Sequence, residues 1–345
     1  MSKGIRSIRR RRDRKVSGAI TLADVARIAN VAISTASRAL NTPDIVSPEV
    51  LLRVKEAVSR TGYVPNLLAG GLASNRSKLV AVIIPTLVGT VFGPSIRAIT
   101  SALAASGYQV MLGESGYVDS REDDLLGAII SRRPDGIILF GIVHSVEGRR
   151  RLAAAGVPIV ETWDLTPTPI DMLVGFSHEK VGVAVAEYFH ARGVRQPGII
   201  SASDSRALLR NRGFVETAAK LGMGRVEVHL TPAPSTLGEG RAGLRDLLVR
   251  NPNLDGVCCS SDYVALGVLT EARIQGMAVP GRFPVMGFGD YDFANDTEPT
   301  LSTVHIDGDA IGRQAAQFIV DLIGGREIPN RVVDVGFSIK ARASA

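Results

Sequence analysis

From Leu79 onward, short apolar runs alternate with longer stretches whose apolar residues recur at helical spacing. A first cycle of strand-like runs, LVAVIIP, YQVML, DGIILFG and VPIVETW, is followed after DMLVGFSH by a second, PGIISASD, RVEVHL, DGVCCSSD and FPVMGFGD. Helical stretches between these runs end near 106, 132 and 155 and cover about 206–221, 239–250 and 263–275. This alternation predicts parallel sheets with helices on both faces. Two similar α/β lobes are expected, with a ligand cleft between them beyond the carboxyl ends of the strands.

The segment before these lobes has a different pattern, because TLADVARIANVAISTASRALN contains two short amphipathic helical stretches. Thr21 is placed to cap the first helix, with Asp24 completing a capping box, and the second helix is predicted over 33–40. Asn30 lies in the break, where a turn between crossing helices needs a left-handed residue. A third helix is predicted over 47–62, opened by SPE and ended by a glycine. The pattern alone leaves a generic three-helix bundle open beside a helix-turn-helix.

Composition and charge add a candidate partner. The chain of 345 residues is 45% apolar and 5% aromatic, which suits two or three globular domains. Residues 1–20 hold eight Lys/Arg and one Asp, a charge of +7, so the net charge of +6 leaves −1 for the remainder. A basic arm of this kind suits DNA, although such tails are often only solvated and disordered. No secretory signal or membrane-length apolar run is present, so a cytoplasmic protein is expected.

The motifs of common enzymes are not found where the strands would place them. The loop PTLVGTVFGPS has neither G-x-G-x-x-G nor a Walker lysine, and the chain has no G-x-S-x-G elbow and no HExxH. His144 and His178 have no second histidine at metal-binding spacing, and the adjacent Cys258 and Cys259 are expected in a buried strand rather than in a disulfide. We therefore expect no metal, no cofactor and no catalysis. A sugar-binding receptor and an α/β enzyme acting on sugar acids remain the alternatives.

The opening stretch, followed by VSPEVLLRVKEAVSRTGYVPNLLAGGLAS, closely resembles the DNA-binding headpiece of the LacI family of bacterial transcription factors. The resemblance covers nearly the whole chain after residue 20, and PTLVGTVFG, GYQVMLGESGY, TPIDMLVGFSH and STVHIDGDAIG are most similar to its gluconate-repressor branch. It implies an α/β protein with a helix-turn-helix headpiece and a two-lobed effector domain like the type I periplasmic binding proteins. The implied divisions are a disordered basic arm (1–20), the headpiece (21–64), a hinge helix and linker (65–78), a first lobe (79–161 with 305–325) and a second lobe (162–304 with 326–345).

The resemblance also implies partners: operator DNA, a sugar or sugar-acid effector such as gluconate or a phosphorylated relative, and a second copy of the chain in a homodimer or dimer of dimers. The protein is then expected at the nucleoid, as a repressor whose hold on DNA depends on the effector. Three positions depart from the family pattern, since Asn30, Ala32 and Ala36 stand where Gly, Ser and Val are usual. Losing the Ser cap at 32 would cost the second helix about 1 kcal/mol of stability.

The DNA contacts implied by the resemblance begin with the first turn of the second helix, which places base-reading side chains in the major groove. Thr21, Thr35 and Ser37 are expected on phosphates, with Arg38 as either a base reader or another phosphate clamp. Leu72 matches the wedge that the paired hinge helices insert into the minor groove; an ordinary flexible linker is the alternative. The full set of expected DNA contacts is Thr21, Ile33, Ser34, Thr35, Ser37, Arg38, Asn41, Tyr63, Asn66, Ala69 and Leu72.

The effector contacts implied by the resemblance come from loops at the strand ends. Arg210, with Arg206 one turn away on the same helix, would suit a carboxylate or phosphate. Relatives place an acid one residue earlier than Asp290, and the loop APSTLGEG lacks the aromatic platform of some relatives. Both features argue against a purine or a bulky ring and are compatible with an open-chain sugar acid. The full set of expected effector contacts is Phe92, His144, Glu161, Arg206, Arg210, Ser261, Asp262 and Asp290.

Overall fold

The computed structural model describes residues 20–64, 76–88, 91–117 and 119–345. The chain divides into two compact units between Ser77 and Lys78, and each unit is described here by itself. Residues 1–19 of the basic arm lie outside the described residues, as do the hinge positions Asn66, Ala69 and Leu72. Among the described residues, no helix is long and apolar enough to span a bilayer.

The N-terminal unit contains the three expected helices. They are α1 (Leu22–Ile28), α2 (Ile33–Asn41) and α3 (Pro48–Thr61), with a 3₁₀ helix (Pro43–Ile45) between the last two. The capping box of Thr21 and Asp24 is formed, and Asn30 takes the left-handed conformation with φ 52°. The small core is built from Val25, Ala26, Ala29, Ala36, Ala39, Val54 and Ala57. The local signals therefore predicted the three helices within residues 20–64 correctly, except that Ser47 makes no side-chain capping hydrogen bond at the start of α3.

The larger unit alternates strands and helices as its apolar pattern predicts. Its strands are β1 (Leu79–Ile84), β2 (Gln109–Glu114), β3 (Gly136–Phe140), β4 (Ile159–Thr162), β5 (Met172–Gly175), β6 (Pro197–Ala202), β7 (Glu227–Thr231), β8 (Gly256–Cys259), β9 (Val285–Phe288), β10 (Ser302–His305), β11 (Val332–Asp334) and β12 (Ser338–Lys340). Its helices are α4 (Gly93–Ala105), α5 (Asp119–Ile130), α6 (Val146–Ala154), α7 (His178–Ala191), α8 (Ser205–Lys220), α9 (Leu237–Arg250), α10 (Asp262–Ile274) and α11 (Gly308–Ile323), with a 3₁₀ helix (Asp292–Asn295).

The strands form two sheets, one in each lobe. The first has the order β11-β5-β4-β3-β1-β2 and the second β12-β10-β9-β8-β6-β7, all parallel except for the antiparallel pair β10 and β12. Both faces of the first sheet are buried, because Val80 and Val82 join one apolar cluster while Ala81 and Ile83 join another. Helices therefore cover both faces, as a parallel sheet requires.

The lobe boundaries differ from the expected ones. The first sheet takes in β5 and β11, so 162–175 and 332–334 belong to the first lobe and not to the second. The chain crosses between the lobes after β5, after β10 and before β12. Cys258 and Cys259 lie on β8 as free cysteines, in agreement with their predicted place in a strand.

Candidate functional site

The outer face of α2 is the first candidate surface. Ile33, Ser34, Arg38 and Asn41 are exposed, whereas Ala36 and Ala39 of the same helix are buried. Ile33 leaves 55% of its surface open and is therefore free to contact a partner. Among the described residues, no carboxylate lies within ion-pair distance of Arg38. The face therefore offers an apolar group, a hydroxyl and a cation to a partner.

The other residues of this unit that were predicted to contact DNA differ in how far contacts within the protein already occupy their side chains. Thr21 is exposed, but its hydroxyl is engaged with Asp24 in the capping box. Ser37 accepts a hydrogen bond from the Asn41 amide at 3.3 Å, and Thr35 is half-buried. Tyr63 packs against the core of the unit. Ala32 caps α2 through its backbone only, so the helix begins without a side-chain hydrogen bond.

The second candidate site is the cleft between the lobes of the larger unit, which contains two adjoining cavities. The inner cavity, of about 100 Å³, is lined by side chains of both lobes, among them Phe92, Trp163, His178, Arg210, Ser261 and Phe288. The outer cavity, of about 440 Å³, is lined by Glu122, His144, Asp164, Asp204 and Arg206, among others. Arg206 and Asp204 belong to both linings, so the cavities are neighbours along one cleft.

Arg210 lies in the inner cavity on α8. One of its guanidinium nitrogens lies 2.9 Å from His178 Nδ1, another donates to the Ser260 carbonyl at 3.3 Å, and the group stacks 4.0 Å from the centre of the Phe288 ring. Burial lowers the pKa of Arg210 to about 10, which still leaves it cationic at neutral pH. Among the described residues, no carboxylate oxygen lies within ion-pair distance of it. The cation is thus positioned by neutral groups.

A cluster of aromatic side chains forms the apolar part of the inner cavity. Phe92 packs edge-on against Phe140 and Trp163, with ring centroids 5.2 and 5.0 Å away, and Trp163 packs against Phe176 at 6.0 Å. Arg206, the second cation of α8, lies 5.3 Å from the Phe92 ring and 3.9 Å from the Asp204 carboxylate. Low-dielectric walls of this kind strengthen the attraction between Arg210 and an anion.

The outer cavity carries the acidic side of the cleft. Asp164 is 6% exposed and accepts a hydrogen bond from the backbone N–H of Leu165. Burial raises the pKa of Asp164 above its usual range. Carboxylates and an imidazole beside an open cavity are suitable partners for hydroxyl groups.

Five of the predicted effector residues line the cavities and three do not. Phe92, Arg206, Arg210 and Ser261 line the inner cavity, and His144 lines the outer one.

Glu161, Asp262 and Asp290 lie elsewhere, which contradicts their expected place. Glu161 is fully buried, accepts from the Ile170 N–H at 2.8 Å and lies 3.7 Å from Arg149. Asp262 is also fully buried, where it accepts from the Thr303 hydroxyl at 2.6 Å and the Tyr291 N–H at 2.8 Å. Asp290 is paired with Arg342 at 2.6 Å and with His305 at 2.9 Å. Each of these carboxylates already has protein partners.

Trp163, Asp164 and His178 are among the cleft residues that sequence reasoning missed. Trp163 and Asp164 follow β4 directly and His178 follows β5, so the strand-end rule applied to them as well. Among the described residues, no cluster of three or more His, Cys, Asp or Glu side chains has a geometry suited to a metal ion.

Comparison with known proteins identifies the domains in which the two candidate sites lie. Residues 21–66 match the model described as bacterial regulatory proteins, lacI family, and residues 186–345 match a periplasmic binding protein-like domain. The chain is 37% identical over 333 residues to the HTH-type transcriptional regulator GntR of Pseudomonas aeruginosa, covering 96% of this chain and 97% of that protein. It is 29% identical over 324 residues to the regulator of the same name from Escherichia coli K12, covering 94% and 98% of the two chains.

A solved structure extends this agreement to the fold. The crystal structure of a LacI-family transcriptional regulator from Silicibacter pomeroyi superposes with a TM-score of 0.89 at 33% identity, covering 94% of this chain and 99% of that one. The similarity covers both the helix-turn-helix unit and the two-lobed unit. The chain therefore belongs to the lacI family of bacterial regulatory proteins and is a DNA-binding transcriptional regulator.

Proposed function

We propose that this protein is an operator-binding repressor of sugar-acid metabolism, and that an open-chain sugar acid bound in the cleft controls its hold on DNA. The observation that supports this effector class is the half-buried cation of Arg210, which faces the inner cavity and has no carboxylate partner among the described residues. Withdrawing a charge from water without a counter-charge is costly, and a ligand carboxylate would offset that cost. The guanidinium also presents two parallel N–H groups, which match a carboxylate.

The outer cavity supports the other half of the effector. Asp164, Asp204 and His144 would accept hydrogen bonds from hydroxyl groups along a polyol chain. A ligand with a carboxylate at one end and hydroxyls along the rest then fits the two cavities in one orientation, with its acid inward. D-Gluconate has this chemistry and is the probe that we choose.

The cleft also offers a means of control. The inner cavity is lined by Thr86, Phe92 and Trp163 of the first lobe and by Arg210 and Ser260 of the second. A ligand that contacts both lobes stabilises the arrangement in which both contacts are made, and can shift the protein between states of different DNA affinity. We propose that the exposed face of α2 reads a roughly palindromic operator as part of a homodimer or a dimer of dimers, at the nucleoid in the cytoplasm.

A two-step experiment tests the proposal. Thermal-shift and calorimetric titrations of the full chain with D-gluconate and with glucitol, its analogue without the carboxylate, should show tighter binding of the acid. Fluorescence anisotropy with labelled operator DNA should then show a change in affinity when gluconate is added. Equal binding of the two compounds would contradict the acidic effector, and turnover of gluconate would favour the alternative of an α/β enzyme. A chain that binds gluconate but no DNA would favour the alternative of a sugar receptor.

A further inference from the structure

The group that positions Arg210 is a histidine with a fixed protonation state. His178 is 3% exposed; its Nδ1 lies 2.9 Å from an Arg210 nitrogen and its Nε2 lies 2.9 Å from the Trp163 carbonyl oxygen. A guanidinium has only donors and a carbonyl only accepts, so Nδ1 accepts from Arg210 and Nε2–H donates to Trp163. Only the neutral ring with its proton on Nε2 satisfies both contacts. Burial and the charge of Arg210 lower the pKa of His178 well below its usual value, in agreement with this state.

Two glycines bring this pair together. His178 is the first residue of α7 and Arg210 lies on α8, and the helices approach closely where glycines stand. A Cβ at Gly182 would collide with the carbonyl oxygen of Arg210, and one at Gly213 would collide with that of Glu179. Ser177 caps α7 by accepting from the Lys180 N–H at 3.2 Å. The contact between imidazole and guanidinium is therefore set by the packing of two helices and not by flexible side chains.

The neutrality of the positioning group has a consequence for the ligand. Buried arginines are usually balanced by carboxylates, and such a carboxylate would satisfy the fork and cancel the charge. Two carboxylates of the cleft, Asp204 and Asp164, act on Arg210 only from beyond ion-pair distance: Asp204 lies beside Arg206 at 3.9 Å, and Asp164 lines the outer cavity. His178 therefore orients the guanidinium through one nitrogen without placing a counter-charge in direct contact with it.

We propose that His178 is a positioning residue that determines specificity, because it orients Arg210 without neutralising it and so makes the cleft select an acidic over a neutral polyol. The proposal rests on the proposed function, since it explains how that same site prefers an acid. A carboxylate at position 178 would give the cleft its own counter-charge and remove the preference. The selectivity thus depends on a residue that contacts the arginine directly and is 3% exposed.

Two substitutions of nearly equal size separate charge from shape. In both His178→Asn and His178→Asp, the first side-chain oxygen reaches about the position of Nδ1 and accepts from Arg210, and both lose the contact with Trp163. Only the aspartate neutralises the cation. We expect His178→Asn to keep a preference for D-gluconate over glucitol. In His178→Asp, the dissociation constant for glucitol divided by that for gluconate, both measured by calorimetry, should be at least tenfold smaller than in the parent. Unchanged melting temperature and operator binding without ligand are the controls for folding.

The outcomes separate this inference from the proposed function. Equal ratios of dissociation constants in the Asn and Asp variants would show that His178 is only structural and overturn the proposal. Failure of the parent protein to prefer gluconate would instead contradict the proposed function. Nitrogen-15 NMR of the histidine rings in the parent tests the protonation state without any substitution, and we expect His178 to remain neutral with its proton on Nε2 from pH 6 to 8. A doubly protonated His178 at pH 7 would also overturn the proposal.

Discussion

Replacing Arg210 should remove most of the affinity for an acidic effector. Its guanidinium uses one nitrogen on His178 and another on Ser260, and its plane rests on Phe288. A ligand carboxylate in the inner cavity would receive charged hydrogen bonds worth roughly 1.5 to 3 kcal/mol each. Since each 1.4 kcal/mol corresponds to about a tenfold change in affinity, Arg210→Ala should weaken gluconate binding by about a hundredfold or more. Arg210→Lys should recover part of this loss, because lysine restores the charge but not the fork.

The chain offers a matched control for this experiment. Arg212 lies two residues later on α8, but it is 55% exposed and paired with Glu179 at 3.2 Å on the outside of the helix. Arg212→Ala removes the same side chain from the same helix and should leave gluconate binding unchanged. Operator affinity without gluconate should stay close to that of the parent in both variants.

The assay can use the protein's own fluorescence beside calorimetry. Trp163 is the only tryptophan of the chain, is 2% exposed and lines the inner cavity, so its emission should report a bound ligand. Titration curves that coincide for the parent and Arg210→Ala would show that Arg210 does not bind the effector. The structural case for an acidic ligand would then be lost as well.

Three further predictions concern other parts of the molecule. Ala32→Ser should supply the missing side-chain cap of α2 and stabilise the N-terminal unit by about 1 kcal/mol in urea titrations; no gain would show that the cap is satisfied in another way. Burial raises the pKa of Asp262 from 3.8 to about 6, so the folded chain keeps a proton that the unfolded chain releases. Stability of the parent relative to Asp262→Asn should therefore fall by about 2 kcal/mol as pH rises from 4 to 6, and parallel profiles would contradict the shift. A phosphate on the end of gluconate away from its carboxylate should weaken binding at least tenfold, because the carboxylates of Glu122, Asp164 and Asp204 outnumber the cation of Arg206 in the outer cavity; equal calorimetric affinity for 6-phosphogluconate would contradict the proposed orientation.

The N-terminal unit was predictable almost residue by residue because its signals are local. Thr21 and Asp24 stand three residues apart, and both the cap and the break at Asn30 follow from backbone preferences of single residues. Ser47 shows the limit of such rules, since a favourable residue type occupies the N-cap position without making the hydrogen bond. Residue type predicts where a helix begins better than it predicts which side chain completes the cap.

The cleft was predictable only in part, because its contacts depend on packing between distant segments. The strand-end rule correctly indicated Phe92, Arg206 and Arg210 as cleft residues. The rule does not say which face of the strand a side chain takes. Glu161, the penultimate residue of β4, lies beside Arg149 and not in the cleft. His178 and Arg210 are 32 residues apart in sequence, and their contact follows from helix packing that no local sequence pattern predicts.

The lobe boundary was misplaced for a similar reason. Apolar runs show where strands occur, but they do not show which sheet a strand joins, since β5 and β11 look alike whether they extend the first sheet or the second. Pairing of Leu173 with Val332 and of Leu173 with Glu161 settles the question in favour of the first sheet. Sheet membership is a property of hydrogen-bond partners and not of the run itself.

Arg38 and Arg210, neither of which has a carboxylate partner among the described residues, lie in opposite environments, and salt should separate their roles. Arg38 is exposed on α2, where dissolved ions largely screen its attraction to phosphates farther away than about 8 Å at physiological ionic strength. Arg210 lies in the inner cavity among Phe288, His178 and Ser260, where screening by salt is much weaker. Raising salt from about 50 to 200 mM should therefore reduce operator affinity by about a thousandfold, through released counterions, while gluconate affinity changes little. Parallel losses in both titrations would mean that the acid binds an exposed surface and not the inner cavity.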